Sequence, residues 1–253
     1  MIDFNCYVGN WPFNKLNRNS FSDLIKIHKE NNIEYGYISS IDSIFYNDIY
    51  ESEKELYNAV KETEYKQIVT VDPSNPNCIL SLKRCVEEFD VAGVRITPCY
   101  HNYEINSECV KKVAQFVKEN NLPLFITGRM MDERLTYLVH QKLINIEDLK
   151  LFLDSNKDIV IILNHFRVGE IYALEESILS SPDLFFDTSG IRTNFLGTEI
   201  NKELYKKCVL GSAYPLCALK SNIVMIENEF EDEEIKNIIF SGEKLTDKIN
   251  KGN

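Results

Sequence analysis

The chain has 253 residues, 44% of them hydrophobic, and 39 acidic against 28 basic residues leave a formal net charge of −11. That apolar content excludes disorder, and the charge repels phosphate backbones, so no nucleic-acid partner is expected. No run reaches the roughly 18 apolar residues that span a bilayer, and the start, with Asp3 and Asn5, is not a basic-then-apolar leader. A cytoplasmic protein without a membrane partner is therefore expected.

In chain order, β-rich runs occur at 2–8, 35–39, 67–71, 93–97, 123–127, 159–163, 184–187 and 207–210. The first, within "IDFNCYVGNWPF", runs into a loop that holds Trp11, the only tryptophan, against Pro12. Helical patterns lie between most of the strands. In "FSDLIKIHKENN" from Phe21, Leu24, Ile25 and His28 share a face, and Ser22 or Asp23 is placed to cap the start. Further helices are expected over 52–63, 79–89, 107–121 and 146–156. The one from Ser107 opens Ser-x-x-Val, without the reciprocal glutamate of a capping box. The connection "TSGIRTNFLGTEINKELY" is the least regular, with room for a short helix.

Strands followed by helices imply parallel pairing through right-handed crossovers. Eight such units in about 250 residues fit an α/β fold of the single (β/α)8 TIM-barrel type better than an open doubly wound sheet. No linker or low-complexity tract divides the chain, so one domain over residues 1–253 is expected. The seven cysteines, Cys6, Cys78, Cys85, Cys99, Cys109, Cys208 and Cys217, form no CxxC pair and read as reduced thiols. Composition and charge leave homo-oligomerisation open.

A barrel carries its active site at the C-terminal ends of its strands. Five of the seven arginines, Arg95, Arg129, Arg134, Arg167 and Arg192, fall at or just after expected strand ends. Arginine's planar fork binds carboxylate or phosphate at two points, which suggests a pocket for a small anionic substrate or ligand. The same arginines could instead tie down loops by pairing with local acids such as Asp132, Glu133 or Asp187. His101, in "TPCYHNY", is placed to act as acid or base, while "GRMMDERLTYLVH" gathers Arg129, Asp132, Arg134 and His140. No GxGxxG, P-loop or GxSxG motif is present.

The first strand and its Trp-Pro-Phe loop resemble those of the amidohydrolase-related (amidohydrolase 2) family of metallo-dependent hydrolases. "GVRITPCYHNY" and "LPLFITG" resemble its fourth and fifth strands, "VLGSAYPL" its last strand, and "IKNIIFSGEKLTDK" its closing helix. The resemblance runs in order along nearly the whole chain and implies a TIM barrel. It also implies a divalent metal held by two first-strand histidines, one histidine each from strands five and six, and an aspartate from strand eight. At those positions stand Asn5 and Tyr7, Thr127, Asn164 (or His165, one residue on) and Ala213. The metal site thus reads as degenerate, and no cofactor is expected.

The leading expectation is a metal-independent hydrolase, or a decarboxylase-type lyase, acting on a small carboxylate- or phosphate-bearing substrate. His101 would be the acid/base, Asp132 or Asp187 its positioner, and Arg95, Arg129 and Arg134 the anion clamp. Asn5 and Tyr7 would donate to the reacting group, with Trp11, Tyr103, His140, Asn164 and Arg167 completing the substrate site. The alternative is a non-catalytic small-molecule-binding or regulatory barrel. A third reading is an atypical metal site built from His101, His140 or His165.

Overall fold

A computed structural model describes residues 1–132, 134, 141–191 and 202–252. Eight strands follow one another around a single parallel sheet: β1 (Ile2–Val8), β2 (Tyr35–Ser40), β3 (Lys66–Val71), β4 (Val91–Ile96), β5 (Leu124–Thr127), β6 (Ile161–Asn164), β7 (Leu184–Asp187) and β8 (Cys208–Val209). The sheet closes on itself. Phe4 N donates to Leu210 O at 2.8 Å, Tyr7 N to Tyr214 O at 2.8 Å and Ala213 N to Asn5 O at 2.7 Å. Crossovers are made by α1 (Phe21–Glu30), α2 (Tyr50–Val60), α3 (Cys78–Glu88), the short α4 (Pro98–His101), α5 (Glu108–Glu119) and α6 (Ile146–Ser155). The second half adds α7 (Val168–Ala173), α8 (Glu175–Ser180), α9 (Lys202–Tyr205), α10 (Leu219–Glu229), α11 (Glu233–Ser241) and α12 (Glu243–Gly252). Among the described residues, no helix is long and apolar enough to cross a membrane.

Local chemistry explains three departures from the expected elements. Ser20, not Ser22 or Asp23, caps α1, because Asp23 is its partner in a reciprocal capping box. Ile25 turns toward solvent, 38% exposed, while Leu24 and His28 are buried. The expected closing helix is two, α11 and α12, broken at Gly242. There φ is +55°, and a Cβ would lie 2.2 Å from Phe4 Cε2.

The barrel interior is stacked in two layers. The lower layer takes one apolar residue from each strand: Phe4, Tyr37, Ile68, Ala92, Phe125, Ile162, Phe185 and Val209. Leu245 and Ile249 of α12 pack against this layer. Two residues further along β2, β3, β5, β6 and β7, the period of a strand brings Ser39, Thr70, Thr127, Asn164 and Asp187 to the same face. All five are at most 1% exposed. An apolar floor thus carries a buried polar ring at the C-terminal end.

The wall is uneven between β2 and β3, whose paired register is confined to Tyr37–Lys66 and Ile38–Gln67. Beside it the carboxylate of Glu53, from α2, accepts from Thr70 N at 3.1 Å and Gln67 Nε2 at 2.8 Å. Burial pushes this carboxyl from 4.5 up to about 7.

Candidate functional site

Arg95 lies at the centre of the polar ring and is fully buried. Its Nη1 donates to Asn5 Oδ1 at 2.8 Å, to Thr127 Oγ1 at 3.1 Å and, at short range, to the Tyr7 hydroxyl. Nε donates to Ser39 Oγ at 2.9 Å. The guanidinium carbon stands 4.5 Å from the centre of the Tyr7 ring, in cation–π contact. One guanidinium therefore braces β4 against β1, β2 and β5. Its Nη2 has no protein hydrogen-bond partner, and neither do Thr70 Oγ1, its register neighbour, and Asn164 Oδ1.

The charge is answered through Asn5. The Asn5 carboxamide accepts from Arg95 on one side and donates Nδ2 to Asp187 Oδ2 at 2.8 Å and Ser189 Oγ at 3.1 Å on the other. Asp187 also accepts from Asn164 Nδ2 (2.9 Å), His165 N (3.0 Å), Ser189 N (3.0 Å) and Ser189 Oγ (2.7 Å). Burial raises the Asp187 carboxyl above its ordinary range even with these donors opposing it. Burial likewise pushes the Tyr7 phenol up to about 12, with Arg95 pulling the other way, so Tyr7 is neutral at physiological pH. Two residues beside the ring hold left-handed backbone without being glycine, His165 at φ +58° and Ala213 at φ +50°.

Above the ring, Tyr7, Trp11, Ile41, Ile44, Cys99 and Met130 form an apolar cap. Trp11 packs edge-on to Phe13, with centroids 5.4 Å apart, and tilted against Phe45 at 5.5 Å. To one side a cleft of about 370 Å³ reaches Ser189, lined by Ile191, Leu216, Ala218, Asn222 and Met225. That volume lies within the range of small-molecule sites.

The expected site residues separate into groups. Asn5, Tyr7, Arg95, Asn164 and Asp187 meet in one network, together with Ser39, Thr127 and Ser189. The expected clamp of Arg95, Arg129 and Arg134 is divided among different partners. Arg129 makes a two-point ion pair with Glu170, at 2.6 and 2.8 Å, and Arg134, 82% exposed, pairs with Asp132 at 2.6 Å. Arg167 starts α7, its N–H donating to Glu170 Oε2 at 2.8 Å.

His101 stands apart from both expected positioners. Its Nε2 faces the Ile44 carbonyl at 2.8 Å, and its Nδ1 faces Thr97 Oγ1 at 2.9 Å. A carbonyl only accepts, so Nε2 carries the proton and Nδ1 takes the Thr97 hydroxyl. The carboxylate beside it is Asp72, at 3.9 Å. Asp187 is spent on the Asn5 network, and Asp132 holds Arg134. Tyr103 stacks on His101, with centroids 6.2 Å apart. His140, Arg192 and Glu133 lie outside the described residues.

The ring does not fit the metal that the resemblance implies. Asn5, Tyr7 and Thr127 offer neutral oxygens already taken by Arg95, Ala213 offers no donor, and zinc prefers imidazole, thiolate or carboxylate. A single positive charge about 4 Å from a guanidinium is opposed by about 4 kcal/mol at an effective dielectric constant of about 20, and a divalent ion by twice that. Elsewhere, Asp3, Cys6 and His28 converge under α1. There His28 is bonded to Asp3 (3.2 Å) and Tyr65 (2.8 Å), and Asp3 Oδ1 accepts from Ser212 N at 3.0 Å. Burial, with Asp3 alongside, pushes the Cys6 thiol well above its ordinary range, away from the thiolate a metal needs. This trio ties β1 to α1 and to the chain after β8.

No protein-family model and no curated protein matches the chain. Solved structures do. The fold is similar to that of an uncharacterized TIM-barrel protein from Bordetella bronchiseptica, at 13% identity and a TM-score of 0.69, over 98% of this chain and 99% of that one. It is similar to a dihydroxybenzoic acid decarboxylase from Polaromonas sp. JS666, solved with manganese and 2-nitroresorcinol, at 13% identity and a TM-score of 0.72, over 100% and 97%. A 4-oxalomesaconate hydratase from Rhodopseudomonas palustris gives 14% identity and a TM-score of 0.70, over 99% and 97%. The chain thus shares the TIM-barrel fold of these proteins.

Proposed function

We propose that the protein is a member of the amidohydrolase superfamily that works without a metal ion on a small carboxylate- or phosphate-bearing molecule, as a hydrolase or lyase. The observation that carries this reading is the set of partners around Arg95. Asn5, Tyr7 and Thr127, which stand at the positions of metal ligands, are committed to a guanidinium. The unpartnered Nη2 gives an anionic group a two-proton donor in a water-poor site, where such a contact is strong. The cleft of about 370 Å³ reaches Ser189, the hydrogen-bond partner of Asn5, on the other side of that carboxamide from Arg95. The named activities of the structural neighbours, a carboxylate decarboxylase among them, agree with an anionic substrate.

A non-catalytic binding barrel is the second reading, and one observation favours it. Asp187 accepts five hydrogen bonds and both ring nitrogens of His101 are engaged, so neither is poised to take a substrate proton.

The test is a thermal-shift screen of citrate, phosphate, acetate and benzoate, followed by turnover assays on a panel of carboxylic acids, lactones and phosphate esters. At least one anion is expected to raise the melting temperature of the parent and not that of Arg95→Met. Equal shifts in both would remove Arg95 from the anion site. Turnover lost in Arg95→Met supports the enzyme, whereas binding without turnover supports the second reading.

A further inference from the structure

We propose that the Arg95 guanidinium is a built-in cation standing in the place of a bound metal, with the oxygens of Asn5, Tyr7 and Thr127 as its ligands. This rests on the reading that the site works without a metal ion, and it assigns the charge that such a site would otherwise lack.

Three features support the assignment. The acceptors come from the first and fifth strands, at the positions that would ligate a metal, and they converge on one nitrogen, Nη1. None of the three carries a charge or belongs to a strongly basic group; neutral oxygens suit a guanidinium, which is never deprotonated, better than a divalent ion. The charge pattern is also that of a metal site. One buried cation faces one buried carboxylate, Asp187, with the Asn5 carboxamide between them, accepting from the first at 2.8 Å and donating to the second at 2.8 Å. Nη2 then corresponds to the open position of a catalytic ion, buried and without a protein partner.

The exchange restricts the chemistry. A metal ion stabilises negative charge and also lowers the pKa of bound water to about 7. A guanidinium does only the first. The site is therefore suited to holding an anion, or to a step in which negative charge grows on the substrate, and not to generating hydroxide.

The test removes the side chain and returns its head group. Arg95→Ala leaves Asn5, Ser39, Tyr7 and Thr127 around a vacated cation place. Guanidinium chloride at about 10 mM, far below denaturing levels, is expected to raise the melting temperature of Arg95→Ala by a few degrees relative to sodium chloride of equal ionic strength, and not that of the parent. If Arg95→Ala does not fold alone, its refolding yield in the same two salts gives the readout. No difference between the salts for the variant, or an equal difference for the parent, would overturn the proposal. A parent protein that carries a stoichiometric metal ion at the mouth would instead overturn the reading beneath it, so the two failures are distinguishable.

Discussion

Removing the Arg95 side chain leaves four hydrogen-bond acceptors, on Asn5, Tyr7, Ser39 and Thr127, and one buried carboxylate without their cation. Breaking a buried charge arrangement by deleting one partner costs about 3–5 kcal/mol, so Arg95→Met is expected to lose roughly that much in urea unfolding, with Arg95→Lys recovering part. Arg134→Met, at an exposed pair, is expected to change stability by less than about 1 kcal/mol. Glu53 gives a pH signature. Its carboxyl titrates at about 7 in the folded chain against 4.5 ordinarily, so folding takes up a proton between these values. The associated stability is fully present below about 4.5 and lost as the pH rises through about 7, a change of roughly 3 kcal/mol. Glu53→Gln is expected to flatten unfolding free energy against pH over that window; an unchanged slope would assign the titration elsewhere. At this scale the sequence spoke unevenly. Five arginines near strand ends were visible as a group, but only the fold separates Arg95, Arg129, Arg134 and Arg167, the four that are described. Arg129 finds Glu170, 41 residues away, and Arg95 turns inward past a register shift between β3 and β4 that no local pattern announces.

Among the elements, the join between α11 and α12 makes the sharpest prediction. Gly242 combines positive φ with contact against the Phe4 ring, so any side chain there meets both backbone strain and overpacking. Gly242→Ala is expected to destabilise by about 1–3 kcal/mol, read as a lowered urea midpoint at unchanged slope. The helical pattern runs on both sides of Ser241–Gly242, so a sequence reading merges the two helices. What ends α11 is a contact with a residue 238 positions earlier. The strands were more legible, because β-rich runs recur between amphipathic helices. The polar ring was legible in principle too. Pairs such as Ile68 and Thr70, Phe125 and Thr127, or Ile162 and Asn164 repeat one step from apolar to polar near the end of a strand. Thr70 carries no such signal by itself, because threonine is also an ordinary strand residue.

For the molecule as a whole, closure of the barrel sets where the chemistry lies. Order and handedness follow from repeated strand–helix units, which is why the architecture could be read from the chain. The convergence of Asn5, Tyr7 and Thr127 on Arg95, on which the proposed replacement of a metal rests, could not, since it depends on which side chains face one another across the barrel. The same closure brings Asp3 to Ser212 and Asn5 to Asp187, joining the two ends of the sheet beneath and beside the ring. The most direct test is elemental analysis of protein purified without chelator or metal-affinity tag, on the parent and on Cys6→Ser. Zinc, iron and manganese are all expected to be far below one per chain in both. One such ion per chain, retained in Cys6→Ser and lost from Asn5→Ala, would place a metal where Arg95 is assigned and contradict that assignment.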